Sequence, residues 1–474
     1  MTKPFYITTT LPYVNAKPHI GFAMEIIQAD AMARMHKLLG YDVVFNTGTD
    51  EHGQKIYEKA VEEGKTPQEY CDEYAAKFNI LKEALNLSYT NFIRTTDEHH
   101  VKAAQEFWKR CAKKGDIYKK NYKMKYCVGC ELEKTDSELV NGRCPLHPTK
   151  DMEIVEEENY FFKFSAYQEP LLKYYDENPT FVQPGFRFNE IISFVEKGLE
   201  DFSISRLKKK MPWGVDVPND PEHVMYVWFD ALINYISTVG WPVDEDQFEK
   251  FWPGLQTAGK DNLRQQSAMW QAMLMSADLP NSKQIFIHGF INSGGQKMSK
   301  SLGNVVDPLD EVKRYGTDAV RFYLLKEIPP LDDGDYSENR MKEVYDSSLA
   351  NELGNLVSRI TTLAEKDELQ VSHTTMEFHE LFSRESIALV QEYQFNKVLE
   401  QIWDKIKFSN KQTNDFEPWK KTKEERNDFL NTSVKELHSI GHMLLPFIPE
   451  TAQKIIDSTQ GKIKKAVQLF PKNK

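Results

Sequence analysis

The sequence predicts an α/β protein: a parallel sheet built from strand–helix–strand units, interrupted by a small insertion of strands and turns, then followed by an all-helical region. Three observations predict it. Residues 5–14 (FYITTTLPYV), a helical repeat through Ile27, Ala31, Met35 and Leu38, and the apolar run Tyr41–Asn46 form a strand–helix–strand unit. From about Tyr118 the texture changes to short strands and turns that carry Cys127, Cys130, Cys144 and His147. From Asp346 onward, apolar residues recur three and four apart, as on one face of a helix.

A chain of 474 residues is too long for one ordinary domain, and 40% hydrophobic residues supply real cores. No apolar run approaches the ~18–20 residues needed to span a bilayer. The N-terminus lacks a basic segment followed by a long apolar one, so no secretion signal is expected and the localisation expected is cytoplasmic. Five cysteines are too few and too widely spread for a disulfide framework. The net charge of −11 argues against general affinity for nucleic acid, but basic runs such as Arg206–Lys210 and the tail from Lys462 leave local phosphate binding open.

Taken in order, the first unit ends in polar TGTDEHG, residues 47–53, and ligands of open α/β sheets bind at such strand ends. His19 stands where the first helix begins, beside unpaired N–H groups and the positive end of the dipole, a favourable place for phosphates. Residues 67–115 read as amphipathic helix, with His99 and His100 a solvated pair. Cys127-x-x-Cys130 and Cys144-x-x-His147, with turn residues Gly129 and Pro145 inside the pairs, have the spacing of one tetrahedral structural zinc held by three thiolates and an imidazole. Cys71 and Cys111 read as ordinary buried thiols, and Arg206–Lys210 as a solvated face.

Val224–Tyr235 (VMYVWFDALINY) returns to apolar and aromatic residues, with Trp228 and Tyr235 at core positions by periodicity. In Phe286–Pro308 an apolar run leads through Gly289, Gly294 and Gly295 to Lys297 and Lys300, two ammonium groups able to oppose clustered phosphate charge. Leu349, Leu353, Leu356 and Ile360 share an apolar helix face, with Asn351, Asn355 and Arg359 opposite. Phe395, Val398, Leu399, Ile402, Trp403 and Ile406 mark another core helix, and DFEPW places Trp419 just after a proline.

Lys297-Met298-Ser299-Lys300-Ser301 and Pro18-His19-Ile20-Gly21 resemble the two signatures of class I aminoacyl-tRNA synthetases. VMYVWFDALINY, NELGNLVSR (351–359) and DFEPW resemble the methionyl-tRNA synthetase branch, and the resemblance runs from Tyr6 to about Ile456. Two places depart from the family pattern: Phe22 stands where a second histidine is common, and the pair Gln265-Gln266 where Phe-His is usual.

The resemblance implies a Rossmann-like catalytic domain (1–116 and 223–285) interrupted by a zinc-bearing connective insertion (117–222). A lysine-loop and stem-contact region (286–345) and a helical anticodon-binding domain (346–474) follow. It implies methionine–tRNA ligase activity with ATP, L-methionine and tRNA(Met) as partners, Mg²⁺ accompanying ATP and one structural Zn²⁺. No membrane association is expected, and with no extra tRNA-binding or dimerisation domain visible after the last helix a monomer is expected. Lys300, Lys297 and His19 would be catalytic; His19, Gly21, Gly259, Asp261, His288, Lys297 and Lys300 would bind ATP. Leu11, Tyr13, Asp50, Trp228, Ala231, Tyr235, Gln266 and Trp270 would hold methionine, and Asn351, Asn355, Arg359 and Trp419 the anticodon. Two other readings share the frame: a synthetase for another amino acid, and a catalytically inactive paralogue that binds tRNA.

Overall fold

The computed structural model describes residues 2–130, 132–134, 138–298, 303–373 and 378–471. Lys300, with Ser299 and Ser301, lies outside the described residues.

Six strands form one parallel sheet in the order Asn91–Arg94, Asp42–Thr49, Pro4–Thr8, Leu255–Gly259, Gln284–His288, Val182–Gln183. The chain steps outward from Pro4–Thr8 to one edge, leaves the sheet, and returns on the other side of its first strand. The crevice for a ligand therefore opens at the C-terminal ends, between Pro4–Thr8 and Leu255–Gly259, where the strand order reverses.

Several sequence expectations need correction. The first strand ends at Thr8 rather than Val14; Pro12 has no N–H for a ladder, and Tyr13 rejoins through a single bridge to Asp50. The stretch 67–115 is not wholly helical, because Asn91–Arg94 forms an edge strand between the helices Pro67–Asn79 and Glu98–Lys114. His100 is buried rather than solvated, with Nδ1 3.1 Å from Ser237 Oγ, and burial pushes its pKa down to about 3. It is a neutral core histidine.

The insertion carries an antiparallel sheet in the order Leu132–Lys134, Ile117–Cys127, Glu153–Phe162, Phe202–Ser203. Val182–Gln183, within the same stretch, leaves it to pair with Ile285–Phe286 at the edge of the main sheet. Arg206 is not part of a solvated face: its guanidinium is buried over the rings of Tyr226 (4.4 Å) and Tyr126 (5.2 Å). Cys71 and Cys111 are buried as expected, and burial pushes the Cys111 thiol up to about 12.

In the C-terminal region Leu349, Leu353, Leu356 and Ile360 are buried, as is the apolar face of the helix Phe395–Phe416. Tyr345–Gly354 is wound as a π-helix, and a short strand pair, Gln370–Val371 with Gly461–Lys462, corrects the all-helical expectation. Arg321 ties this region to the sheet. Fully buried, it pairs with Asp30 on the helix Ile20–Leu38 at 2.7 Å and donates to the carbonyl of Phe447 at 2.8 Å. No helix among the described residues is long and apolar enough to cross a membrane.

Candidate functional site

The strand order brings residues far apart in sequence to one crevice. Leu11 and Tyr13 follow the first strand, Asp50 the second, Asp261 the strand Leu255–Gly259, and His288 ends Gln284–His288. Asp50 is pinned by backbone bonds to the segment opposite: its N–H donates to Pro12 O (3.0 Å), and its carbonyl accepts from Val14 N (3.3 Å).

His19 caps the helix Ile20–Leu38, its Nδ1 accepting from the Gly21 N–H at 3.1 Å. The ring proton is therefore on Nε2, free to be donated outward. His19 and Asp261 are both open to solvent, yet they sit in a concavity. Desolvation lowers the His19 pKa despite the opposing pull of Asp261, which leaves the ring neutral near pH 7. A Cβ on Gly21 would come within 3.0 Å of the His19 ring, and one on Gly259 within 2.8 Å of Asp261 Oδ1. The two glycines keep this corner open.

The lysine-loop stretch meets the same corner. Ile20 N–H donates to Val306 O (3.0 Å), tying the start of the helix Ile20–Leu38 to the segment that follows the lysine signature. Gly294 and Gly295, with φ of 64° and 73°, make the two-residue turn of a hairpin that pairs Asn292 with Lys297; positive φ at both positions is what such turns require. The Lys297 ammonium lies 5.0 Å from the centre of the Phe290 ring.

Behind the crevice, Gln266 Nε2 donates to the Tyr235 hydroxyl (2.7 Å) and Gln256 Nε2 to Gln266 Oε1 (3.1 Å). Tyr13 and Trp228 are partly buried against Tyr126 and Tyr226, so the insertion supplies part of the wall; Ala231 is buried nearby in sequence. Trp270 packs behind Tyr235 in the protein interior. It is fully buried, stacked on Phe107 (5.7 Å) and edge-on to Tyr235 (6.0 Å). Trp228 Nε1, Trp270 Nε1, Gln265 Oε1 and Asp230 Oδ1 are among the buried polar atoms without a protein partner. Such atoms are uncommon in protein interiors.

Cys127, Cys130, Cys144 and His147 converge, their ligand atoms all within 4.8 Å of one another. The Cys130–Cys144 Sγ separation is 3.4 Å, and Cys130 Sγ lies 3.2 Å from His147 Nδ1. Thiolates around a tetrahedral ion with ~2.3 Å bonds lie roughly 3.8 Å apart, so the donor set fits one metal ion with slight expansion. A Cβ on Gly129 would come within 2.3 Å of the His147 ring, which explains the glycine inside the first pair.

In the helical region, Asn351, Asn355 and Arg359 form one wall of a cleft of about 490 Å³, with Lys407, Lys411 and Asn414 opposite. Arg359 is already held: Asn414 Oδ1 accepts from it at 2.8 Å, and its guanidinium lies 4.8 Å over the exposed ring of Trp419.

Residues 5–153 and 137–361 match the family of class I tRNA synthetases designated (M). The chain is 44% identical to the methionine–tRNA ligase of Thermotoga maritima, over 95% of this chain and 74% of that protein. It is 43% identical to the methionine–tRNA ligase of a Nostoc species, over 96% of this chain and 89% of that one. The fold superposes on Mycobacterium tuberculosis methionyl-tRNA synthetase in complex with methionyl-adenylate, with a TM-score of 0.92 at 36% identity, covering 99% of this chain and all of that one. The chain belongs to the methionyl-tRNA synthetase family.

Within the family, its two departures have structural accounts. Phe22 does not replace a histidine with another polar contact: its ring meets Phe78 edge-on at 5.4 Å, against the helix Pro67–Asn79. Gln266 keeps a hydrogen bond to Tyr235 without a titrating ring. Sequence reasoning missed Glu25, whose carboxylate accepts from Thr10 N (2.7 Å) and Thr10 Oγ1 (2.6 Å) and lies 2.9 Å from His288 Nε2. Its signal was an acidic residue inside the otherwise apolar run Phe22–Ile27. The buried pair of His52 Nδ1 and Asp230 Oδ2, 2.8 Å apart, was missed as well, and neither residue's spacing announces it.

Proposed function

We propose that this chain activates methionine with ATP and transfers it to the 3′ end of tRNA(Met). The observation that carries this reading is the convergence of Asp50, His19, Asp261 and His288 at the reversal of strand order, in a chain of this family. The methionine carboxylate oxygen attacks the α-phosphorus of ATP; the bond to the β-phosphate oxygen breaks and pyrophosphate leaves. The 3′-terminal adenosine hydroxyl then attacks the methionyl carbonyl, and AMP leaves.

Little covalent work falls to the protein, so positioning and charge carry the rate. Asp50, nearly fully buried, pairs with the substrate ammonium. Leu11, Tyr13, Trp228, Ala231, Tyr235 and Gln266 enclose the thioether, with Trp270 backing Tyr235. His19 donates from Nε2 to phosphate, Gly21 and Gly259 admit the nucleotide, Asp261 accepts from the ribose, and His288 borders it from the neighbouring strand end. Lys297 and Lys300 oppose the triphosphate, with Mg²⁺ sharing its charge.

Cys127, Cys130, Cys144 and His147 hold one zinc ion, structural because four protein ligands leave no open position. Asn351, Asn355, Arg359 and Trp419 read the anticodon, Trp419 by stacking on an unpaired base. The division into catalytic halves 1–116 and 223–285, insertion 117–222, lysine-loop region 286–345 and helical domain 346–474 follows these roles. Amino-acid-dependent ATP–pyrophosphate exchange across the twenty amino acids tests the reading. Methionine alone should support fast exchange, and faster exchange with another amino acid would overturn it.

A further inference from the structure

The anticodon reading assigns one wall of the C-terminal cleft. The other wall is the helix Phe395–Phe416, which contributes Lys407 and Lys411, both exposed and four residues apart on one helix face. Other lysines of the helical region are held by acidic residues, as Lys326 is by Glu400 (2.9 Å) and Lys420 by Glu417 (2.7 Å). Neither Lys407 nor Lys411 has an ion pair or a hydrogen-bond partner among the described residues. Phe408, 58% exposed, stands beside them on the same helix. In a chain of net charge −11, an unpaired lysine pair with an exposed ring is the local composition of a single-stranded RNA track.

Resting on the anticodon reading, we propose that Lys407 and Lys411 bind two backbone phosphates of the RNA loop whose bases face Asn351, Asn355 and Arg359, with Phe408 a platform at the rim. The geometry divides the labour. Arg359 is engaged by Asn414 and Trp419, so it is oriented for a base rather than free to follow a backbone. The lysines have flexible stems and point charges suited to phosphate. Glu352, on the Asn351 wall of the cleft, repels phosphate from that side, and Asp415, one turn beyond Lys411 on the same helix, marks where the lysine pair ends.

The test is the salt dependence of tRNA(Met) binding to the full chain, for the parent, Lys407→Gln/Lys411→Gln, Lys407→Arg/Lys411→Arg and Trp419→Ala. Each phosphate contact on a single strand contributes about 0.7 to the slope of log K against log salt. The glutamine pair should bind about tenfold more weakly near 0.1 M salt, with a slope shallower by about 1.4. Methionine-dependent pyrophosphate exchange should be unchanged, and the arginine pair should keep the parental slope. If Trp419→Ala weakens binding while the glutamine pair keeps the parental slope, the phosphate assignment is wrong and the anticodon reading stands. If Trp419→Ala binds as tightly as the parent, the anticodon reading falls and this inference falls with it.

Discussion

Gln266 donates to the hydroxyl of Tyr235 at 2.7 Å, and the direction of that bond is set from behind. Ser282 donates to Gln256 Oε1, Gln256 Nε2 then donates to Gln266 Oε1, and the Gln266 amide nitrogen is left facing Tyr235. The Tyr235 hydroxyl is thus an acceptor toward Gln266, with its own proton free for another partner.

From this, Gln266→His should fold normally and change the methionine KM by less than about tenfold, or ~1.4 kcal/mol, because an imidazole can take the same bond. Gln266→Leu strands the buried polar ends of Tyr235 and Gln256 and should cost ~1–3 kcal/mol. Exchange kinetics between pH 5.5 and 8 would check both. The histidine variant alone should acquire a new pH dependence of KM, and complete inactivity of that variant would contradict this account.

His288 donates from both ring nitrogens, Nδ1 to Gly289 O (2.7 Å) and Nε2 to Glu25 (2.9 Å). Burial alone would lower its pKa; the bond and charge of Glu25 more than offset this and raise it above the ordinary 6.5. A histidine whose folded pKa is raised stabilises most fully below its unfolded pKa, and that stability is lost as pH rises through the folded value. The Tm difference between parent and His288→Gln should therefore be largest near pH 6 and shrink above pH 7. A difference that grew with pH would contradict the pairing.

Phe290 carries two ammonium groups, Lys260 at 4.5 Å and Lys297 at 5.0 Å from its ring centre, and Lys260 is also held by Asp333 at 2.7 Å. Phe290→Leu removes the surface on which Lys297 rests. At ~0.5–1 kcal/mol for an exposed cation–π contact, the exchange kcat/KM for ATP should fall about two- to fivefold. Phe290→Tyr should retain it, and steady-state exchange at varied ATP decides.

Purified protein should contain close to one equivalent of zinc, measured by elemental analysis. Cys144→Ser should lower both the zinc content and Tm, because metal affinity here is folding energy. Full zinc retention in that variant would contradict the four-ligand assignment.

How much of this was legible in the sequence depended on the kind of signal. His19, Asp50 and the Lys297 hairpin stood out because polar and glycine residues cluster at strand ends, where backbone groups meet ligands. The convergence of Cys127, Cys130, Cys144 and His147 was legible by spacing alone. The strand Asn91–Arg94 was hidden because four residues between two amphipathic helices carry too little alternation to show. Both π-wound segments, Gln265–Met269 and Tyr345–Gly354, escaped notice because an added residue per turn leaves no compositional mark. They lie where Gln266 and Asn351 are presented. The Thr10–Glu25–His288 chain joins three separate segments, and only the folded sheet brings them together.

The most direct measurement is methionine-dependent ATP–pyrophosphate exchange by the parent, run beside Lys300→Ala and Asp50→Ala. The account predicts exchange that requires methionine, falls by orders of magnitude in Lys300→Ala, and loses methionine affinity in Asp50→Ala. Exchange that proceeds without methionine, or is undiminished in Lys300→Ala, would contradict it.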